Sequence, residues 1–398
     1  MKKLLSFVLF ILLVVAVLTA CGGNKTPNDT QNTDQSVEQT EEPTPIFSIP
    51  EKDMRDWVVD YMYQMANVKW SPMNNIDTDA MSTSPDFIKG KVYHGLPYIN
   101  LLTDADLEMF INDMRYDEAK QMYIYETAKD RSNTMGNDCS SAILLAWKRF
   151  DTNITAYDTG TCFPLGQKTG VYPLGNMEIE NGAKKTDVII AATNEQTLYE
   201  AYNLLQKGDM IIWRTNQGHT RMIIENHVEK TATGKIHPSR SYVITIVQTN
   251  KIDDTRKDGV QTTWYVEHKY TYKDLRDKNY IPVTCKALSE ERAEPVVLVE
   301  GANTPKTIGT AKNGNLMGTI KSNYSILSTT IVIEDSNQTE LYKERYKVAN
   351  KDLDGTISLS KFKFNFDNST LPDGTYTYNI IVETVCGQGV VYSVEFTK

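Results

Sequence analysis

Residues 136–141 read Gly136-Asn137-Asp138-Cys139-Ser140-Ser141, and the reading of this stretch decides which fold the chain is expected to adopt. Asn137 and Asp138 suit the start of a helix, because their side-chain oxygens accept from the free amides of a first turn. Ile143, Leu144, Ala146 and Trp147 follow at helical spacing, so a helix is expected over 137–150. At such a start the dipole and the unpaired amides favour a thiolate. The same amides are placed to stabilise an oxyanion during acyl transfer. Cys139 is therefore a candidate nucleophile, set against the common structural role of a lone cysteine before a helix.

Downstream come Lys207-Gly208-Asp209-Met210-Ile211-Ile212-Trp213 and Gly218-His219-Thr220-Arg221-Met222-Ile223. This pattern reads as a strand, a short loop and a second strand opened by a histidine. A histidine there can face a helix N-terminus and act as the base of a cysteine nucleophile. Further strands are expected over 241–249 and 262–272, both rich in Val, Ile, Thr and Tyr. Upstream, Met54, Trp57, Val58, Tyr61 and Met65 define an amphipathic helix. Residues 104–125 read as a second helix with Leu107, Phe110, Ile111 and Met114 on one side, and 195–205 as another. Helices first and an antiparallel sheet afterwards predict an α+β domain.

Taken in order, these elements resemble the NlpC-type family of papain-like cell-wall cysteine peptidases. Asp138-Cys139-Ser140 stands where the family has Asp-Cys-Ser, Gly208-Asp209 where it has a Gly-Asp strand, and His219 where it has its catalytic histidine. Gly95-Leu96-Pro97-Tyr98 stands where the family has Gly-x-Pro-Tyr. The match covers roughly residues 95–250. The chain departs from the pattern at Ser141, at Thr220-Arg221, and in two long insertions on either side of the cysteine helix. The resemblance implies a papain-like α+β catalytic domain that hydrolyses amide bonds in peptidoglycan peptides. It also implies a polar third residue orienting His219, for which Gln248 is the expected choice, with His227 and His237 as rivals. Tyr98, Asp138 and Ser140 match positions that line the substrate site, while Tyr98 reads equally as core and Asp138 as a helix cap. Arg221 is suited to a substrate carboxylate or to the surface.

The chain has 398 residues, 40% hydrophobic and 23% charged, with a formal net charge of −9. That balance argues against nucleic acid as a partner, since neutralising phosphates needs a basic surface. Lys2 and Lys3 precede an apolar run from Leu4 to Leu18, too short to span a bilayer and suited to a signal peptide. The run ends in Leu18-Thr19-Ala20-Cys21, which resembles a bacterial lipobox with Cys21 as the lipidated residue. The expected partners are thus a peptidoglycan peptide and, through a lipid on Cys21, the membrane. The expected location is outside the cytoplasmic membrane, facing the wall or periplasm. Residues 21–46 are rich in Asn, Thr, Gln, Glu and Pro with almost no large apolar residue, a composition that cannot offset chain entropy and reads as a disordered tether.

Cys139, Cys162, Cys285 and Cys386 remain, and with Cys139 reserved at most one disulfide can form. The scattered histidines and cysteines give no zinc spacing, and no phosphate loop is present, so neither metal nor cofactor is expected. A boundary is expected near residues 289–295. Beyond it, strand-like runs at 330–334, 361–366 and 376–383, with turns at Asp354-Gly355 and Asp373-Gly374, resemble an all-β immunoglobulin-like sandwich. The expected organisation is a leader over 1–20, a tether over 21–46, a catalytic domain over 47–293 and a sandwich over 294–398. The alternatives are a non-catalytic wall- or carbohydrate-binding lipoprotein, and a Cys-His amidase or acyltransferase acting on another bond.

Overall fold

The computed structural model describes residues 47–78, 85–99, 105–253, 256, 259–303, 314–348, 353–364, 366 and 370–398. The leader, Cys21 and the tether lie outside the described residues.

In chain order the helices are α1 (Met54–Asn67), α2 (Leu107–Asn112), α3 (Cys139–Lys148), α4 (Thr186–Ala192), α5 (Glu195–Asn203) and α6 (Tyr272–Asp277). The strands up to the last helix are β1 (Lys69–Pro72), β2 (Tyr93–His94), β3 (Arg115–Asp117), β4 (Met122–Tyr125), β5 (Tyr172–Pro173), β6 (Met210–Arg214), β7 (Gly218–His227), β8 (Tyr242–Asp253) and β9 (Gln261–Thr271). They continue as β10 (Ile281–Thr284), β11 (Val297–Glu300), β12 (Gly314–Asn315), β13 (Thr319–Ser322), β14 (Ser328–Asp335) and β15 (Glu340–Lys347). The last are β16 (Thr356–Ser358), β17 (Lys363–Phe364), β18 (Thr375–Thr384) and β19 (Gly387–Thr397).

Ten strands form one sheet in the order β3-β4-β1-β2-β9-β8-β7-β6-β10-β5. It is mixed: β1 runs parallel to β4 and β2 parallel to β9, while β6 to β9 pair antiparallel. This overturns the expected fold class. The chain does not adopt an α+β papain-like domain followed by an all-β immunoglobulin-like sandwich; among the described residues strands outnumber helices, and one large mixed sheet organises the part before β11. Part of the reason lies in the segment read as a helix over 104–125. Only Leu107–Asn112 is helical, capped by Asp106 at the Met109 amide. Beyond it, Gln121 takes a left-handed turn at φ 50° and Tyr123 and Ile124 enter β4, beside Trp70 and Ser71 of β1. Aromatic and β-branched residues fit a pleated, half-buried surface, and here that preference prevails over the apolar spacing.

α1 and α3 pack together against this sheet. α1 buries Met54, Val58, Val59, Met62, Met65 and Ala66, and its first turn is capped by Asp53. α3 is buried at every position, with Trp147 donating Nε1–H to the Gly208 carbonyl at 2.9 Å. Trp70, Tyr93, Phe87, Phe110 and Tyr125 complete the core around β1 through tilted and edge-to-face contacts.

After β10 the strands form sheets of three (β11-β13-β16), four (β15-β14-β18-β19) and two (β12-β17). They enclose a second core containing Ile320, Ile331, Ile333, Leu359, Tyr378 and Ile380. Leu145 of α3 belongs to that second core. The Ser325 hydroxyl donates to the Lys148 carbonyl, Lys347 pairs with Asp106 at 2.9 Å, and Arg345 pairs with Glu108 at 2.5 Å. The described residues thus belong to one contact unit with two cores.

Candidate functional site

Asp138 is the N-cap of α3. Its Oδ1 accepts from the Ser140 and Ser141 amides at 2.9 and 2.8 Å, and the Ser141 hydroxyl accepts from the Asp138 amide at 2.8 Å, closing a capping box. Ser140 turns its hydroxyl to the same carboxylate at 2.9 Å. These side chains are committed to the cap. Cys139 follows as the first helical residue, with 4% of its surface exposed. Burial first, and the Asp138 charge next to it second, push its thiol up to about 12. At neutral pH it is a thiol. All four described cysteines are buried and unbridged.

Two segments meet this turn from distant parts of the chain. The Gly95–Tyr98 segment runs beside Asn137: Tyr98 and Asn137 form a parallel bridge, and the Ile99 amide donates to the Asn137 carbonyl at 2.9 Å. Gly95 lies at φ +78°, where a Cβ would meet the Trp264 ring at 2.2 Å, so only glycine fits this crossing. A Cβ on Gly136 would fall 2.3 Å from the Pro97 carbonyl, which explains the second glycine. On the other side, the Thr220 hydroxyl donates to the Cys139 carbonyl at 2.7 Å. Asp209 is fully buried, held by Arg55 at 3.0 Å and by the Thr284 hydroxyl at 2.7 Å; its role is to fasten α1 and β10 to the start of β6.

His219 opens β7 one residue before Thr220 and pairs across with Trp213 of β6. Successive strand side chains point to opposite faces, so His219 lies across the strand from Thr220 and on the side of Arg221. Burial first, and the Arg221 charge second, push the imidazole down to about 3, so it is neutral at pH 7. Cys139 and His219 make no hydrogen bond with each other. Tyr280, whose phenol is raised mainly by burial, accepts from Arg221 Nε at 3.3 Å on the His219 side of β7.

The third residue is not where the sequence suggested. Gln248 Nε2 donates to the Leu96 carbonyl at 2.6 Å, joining Trp264 and Thr263 on that oxygen. A pairing of Met222 with Ile246, continued along both strands, brings Gln248 opposite Thr220 rather than His219. Gln248 therefore anchors the Gly95–Tyr98 segment. The rivals sit farther off: His227 stacks on Tyr242 at the opposite end of β7, and His237 lies in the connection between β7 and β8.

Sequence reasoning missed the surroundings of Arg221. Its guanidinium lies 4.4 Å from the Tyr270 ring centroid, its Nε donates to the Tyr280 hydroxyl at 3.3 Å, and Nη1 is buried without a partner. Tyr270 and Tyr280 lie about 50 and 60 residues further along the chain, and no local pattern announces the meeting. Among the described residues no cluster of His, Cys, Asp or Glu is arranged to hold a metal, and no helix is long and apolar enough to cross a membrane.

No protein-family model matches the chain, and no curated protein matches it. Among solved structures, a β-glucuronidase from Parabacteroides merdae aligns at 14% identity over 30% of this chain and 15% of that one, with a TM-score of 0.18. The chain therefore spans only a small part of that enzyme's length, and the likeness supports no conclusion about fold or activity.

Proposed function

We propose that this protein is a lipid-anchored, wall-facing cysteine hydrolase that cleaves amide bonds in peptidoglycan peptides, with Cys139 as nucleophile and His219 as base. The supporting observation is convergence. Residues 95–98 and Thr220, about 120 residues apart in the chain, meet at the first turn of α3, while Gly208 is fastened to its last turn through Trp147. Burial leaves the thiol protonated and the imidazole neutral but holds the two far apart in basicity, so the proton transfer depends on substrate binding to change both environments.

In the reaction Cys139 Sγ attacks the amide carbonyl carbon as its proton passes to His219. His219 returns that proton to the departing amine. Water then hydrolyses the thioester, releasing the acid and restoring the thiol. Asp138 holds the Ser140, Ser141 and Ala142 amides, which leaves the Cys139 amide as the donor at the start of α3 for the oxyanion. Thr220 faces Cys139 and His219 lies on the opposite face of β7, so the reaction requires the start of β7 to rearrange and bring the imidazole to the thiol. Export and anchoring through Cys21 rest on the leader sequence.

A second reading, a wall-binding protein without catalysis, is favoured by one observation: Cys139 is buried and its thiol is held high. Incubating muropeptides with the protein and with Cys139→Ala, then weighing the products by mass spectrometry, separates the two. New fragments from the first protein alone support hydrolysis and give the bond cleaved. Identical profiles from both leave only the binding reading.

A further inference from the structure

A cleft of about 340 Å³ opens where β6 meets the turn after α6, lined by Trp213, Lys278, Asn279 and Tyr280. That volume lies at the small end of the range for clefts that take a compact ligand. Trp213 pairs across with His219, so the two side chains share one face of the sheet. Thr220 and Cys139 meet on the other face.

The polar groups of the cleft are unengaged. Trp70, Trp147 and Trp264 each donate the indole N–H to a backbone carbonyl. Trp213 is half-buried, donates to no group among the described residues, and keeps its nitrogen open to solvent. The Asn279 side chain likewise makes no hydrogen bond among the described residues. Its backbone, in contrast, is fixed. Asn279 sits at φ 60°, and the amides of Lys278, Asn279 and Tyr280 donate to the carbonyls of Asp274, Arg276 and Leu275 at 3.0, 3.0 and 2.9 Å. Tyr280 is held by Arg221, whose Nε donates to its hydroxyl at 3.3 Å. Lys278 is exposed, with Nζ 4.9 Å from the Tyr270 ring centroid, and no carboxylate lines the cleft.

We infer that this cleft binds a neutral pyranose ring of a glycan, stacked against Trp213 and hydrogen-bonded by the Trp213 indole and the Asn279 amide. A pyranose presents a face of C–H groups, which suits the negative face of an aromatic ring, and a rim of hydroxyls. The indole gives one hydrogen bond, the amide both gives and takes, and neither asks for a charge on the ligand. Because Trp213 stands on the face away from Cys139, the sugar is held apart from the candidate nucleophile. The inference thus goes beyond the hydrolase reading and does not rest on it.

The test uses the full chain carrying Cys139→Ser, so that nothing is consumed, with tryptophan fluorescence and calorimetry as readouts. The probes are chitotriose, maltotriose and the dipeptide N-acetyl-alanyl-alanine. At least one trisaccharide should bind saturably and shift the fluorescence, with the dipeptide about tenfold weaker or not bound. Trp213→Ala should lower the sugar affinity about tenfold or more. Asn279→Gly keeps the left-handed backbone and removes the amide, and should lower it severalfold. If Trp213→Ala does not fold, the Asn279 variant and the comparison of sugar with dipeptide still decide. No binding of either sugar, equal binding of the dipeptide, or a sugar affinity untouched by both substitutions overturns the proposal. None of these readouts measures cleavage, so failure of the sugar site and failure of the hydrolase reading are told apart.

Discussion

At the residue scale, Asp138 carries more of the local structure than the cysteine beside it. Its carboxylate holds two amides and a hydroxyl at the start of α3, so Asp138→Ala should cost about 1 kcal/mol. Urea unfolding checks this, and an unchanged midpoint would contradict it. His219 makes a prediction about pH. Burial and then Arg221 hold it near 3 in the folded protein, against an ordinary value of 6.5. Between those values the unfolded chain binds more protons, so stability rises with pH and is lost as pH falls from 6.5 towards 3. His219→Gln should flatten that slope between pH 7 and 5, and equal slopes would contradict the assignment. The cap was legible in Asp138-Cys139-Ser140-Ser141 because capping is local chemistry. The partner of Gln248 was not: β7 carries a bulge between Ile223 and Glu225, and a one-residue shift changes which side chains face each other.

At the element scale, α3 joins the two halves of the molecule. Its Trp147 fastens β6 through the Gly208 carbonyl, while Leu145 packs into the core formed by β13, β14 and β18. Leu145→Ala should therefore cost about 2–5 kcal/mol, as for other buried leucines, and should loosen the C-terminal sheets as well. Hydrogen exchange of β14 amides reads this directly; a loss of protection confined to α3 and β7 would contradict it. α1, α3 and strands β6 to β9 were legible because their apolar periods are strong and long. β1 to β4 were not, since strands of two to four residues show no period. Their place in the sheet depends on parallel partners that stand far away in the sequence.

At the scale of the whole molecule, reading helices and then strands led to two separate domains of familiar kinds, and the chain forms something else. A ten-stranded mixed sheet and three smaller sheets share α3 and an ionic seam between α2 and β15. With Leu145 in one core and its helix neighbours in the other, the described residues should unfold in one cooperative calorimetric transition, and two resolved transitions would contradict that coupling. The central claim concerns chemistry at one sulfur. Mixing the protein with muropeptides, quenching in acid within the first turnover and weighing the intact chain tests it most directly. The account predicts an added acyl mass that maps to Cys139 and is lost in Cys139→Ala together with product release. Fragments released by the Cys139→Ala protein at the same rate, with no adduct on the unaltered chain, would contradict it.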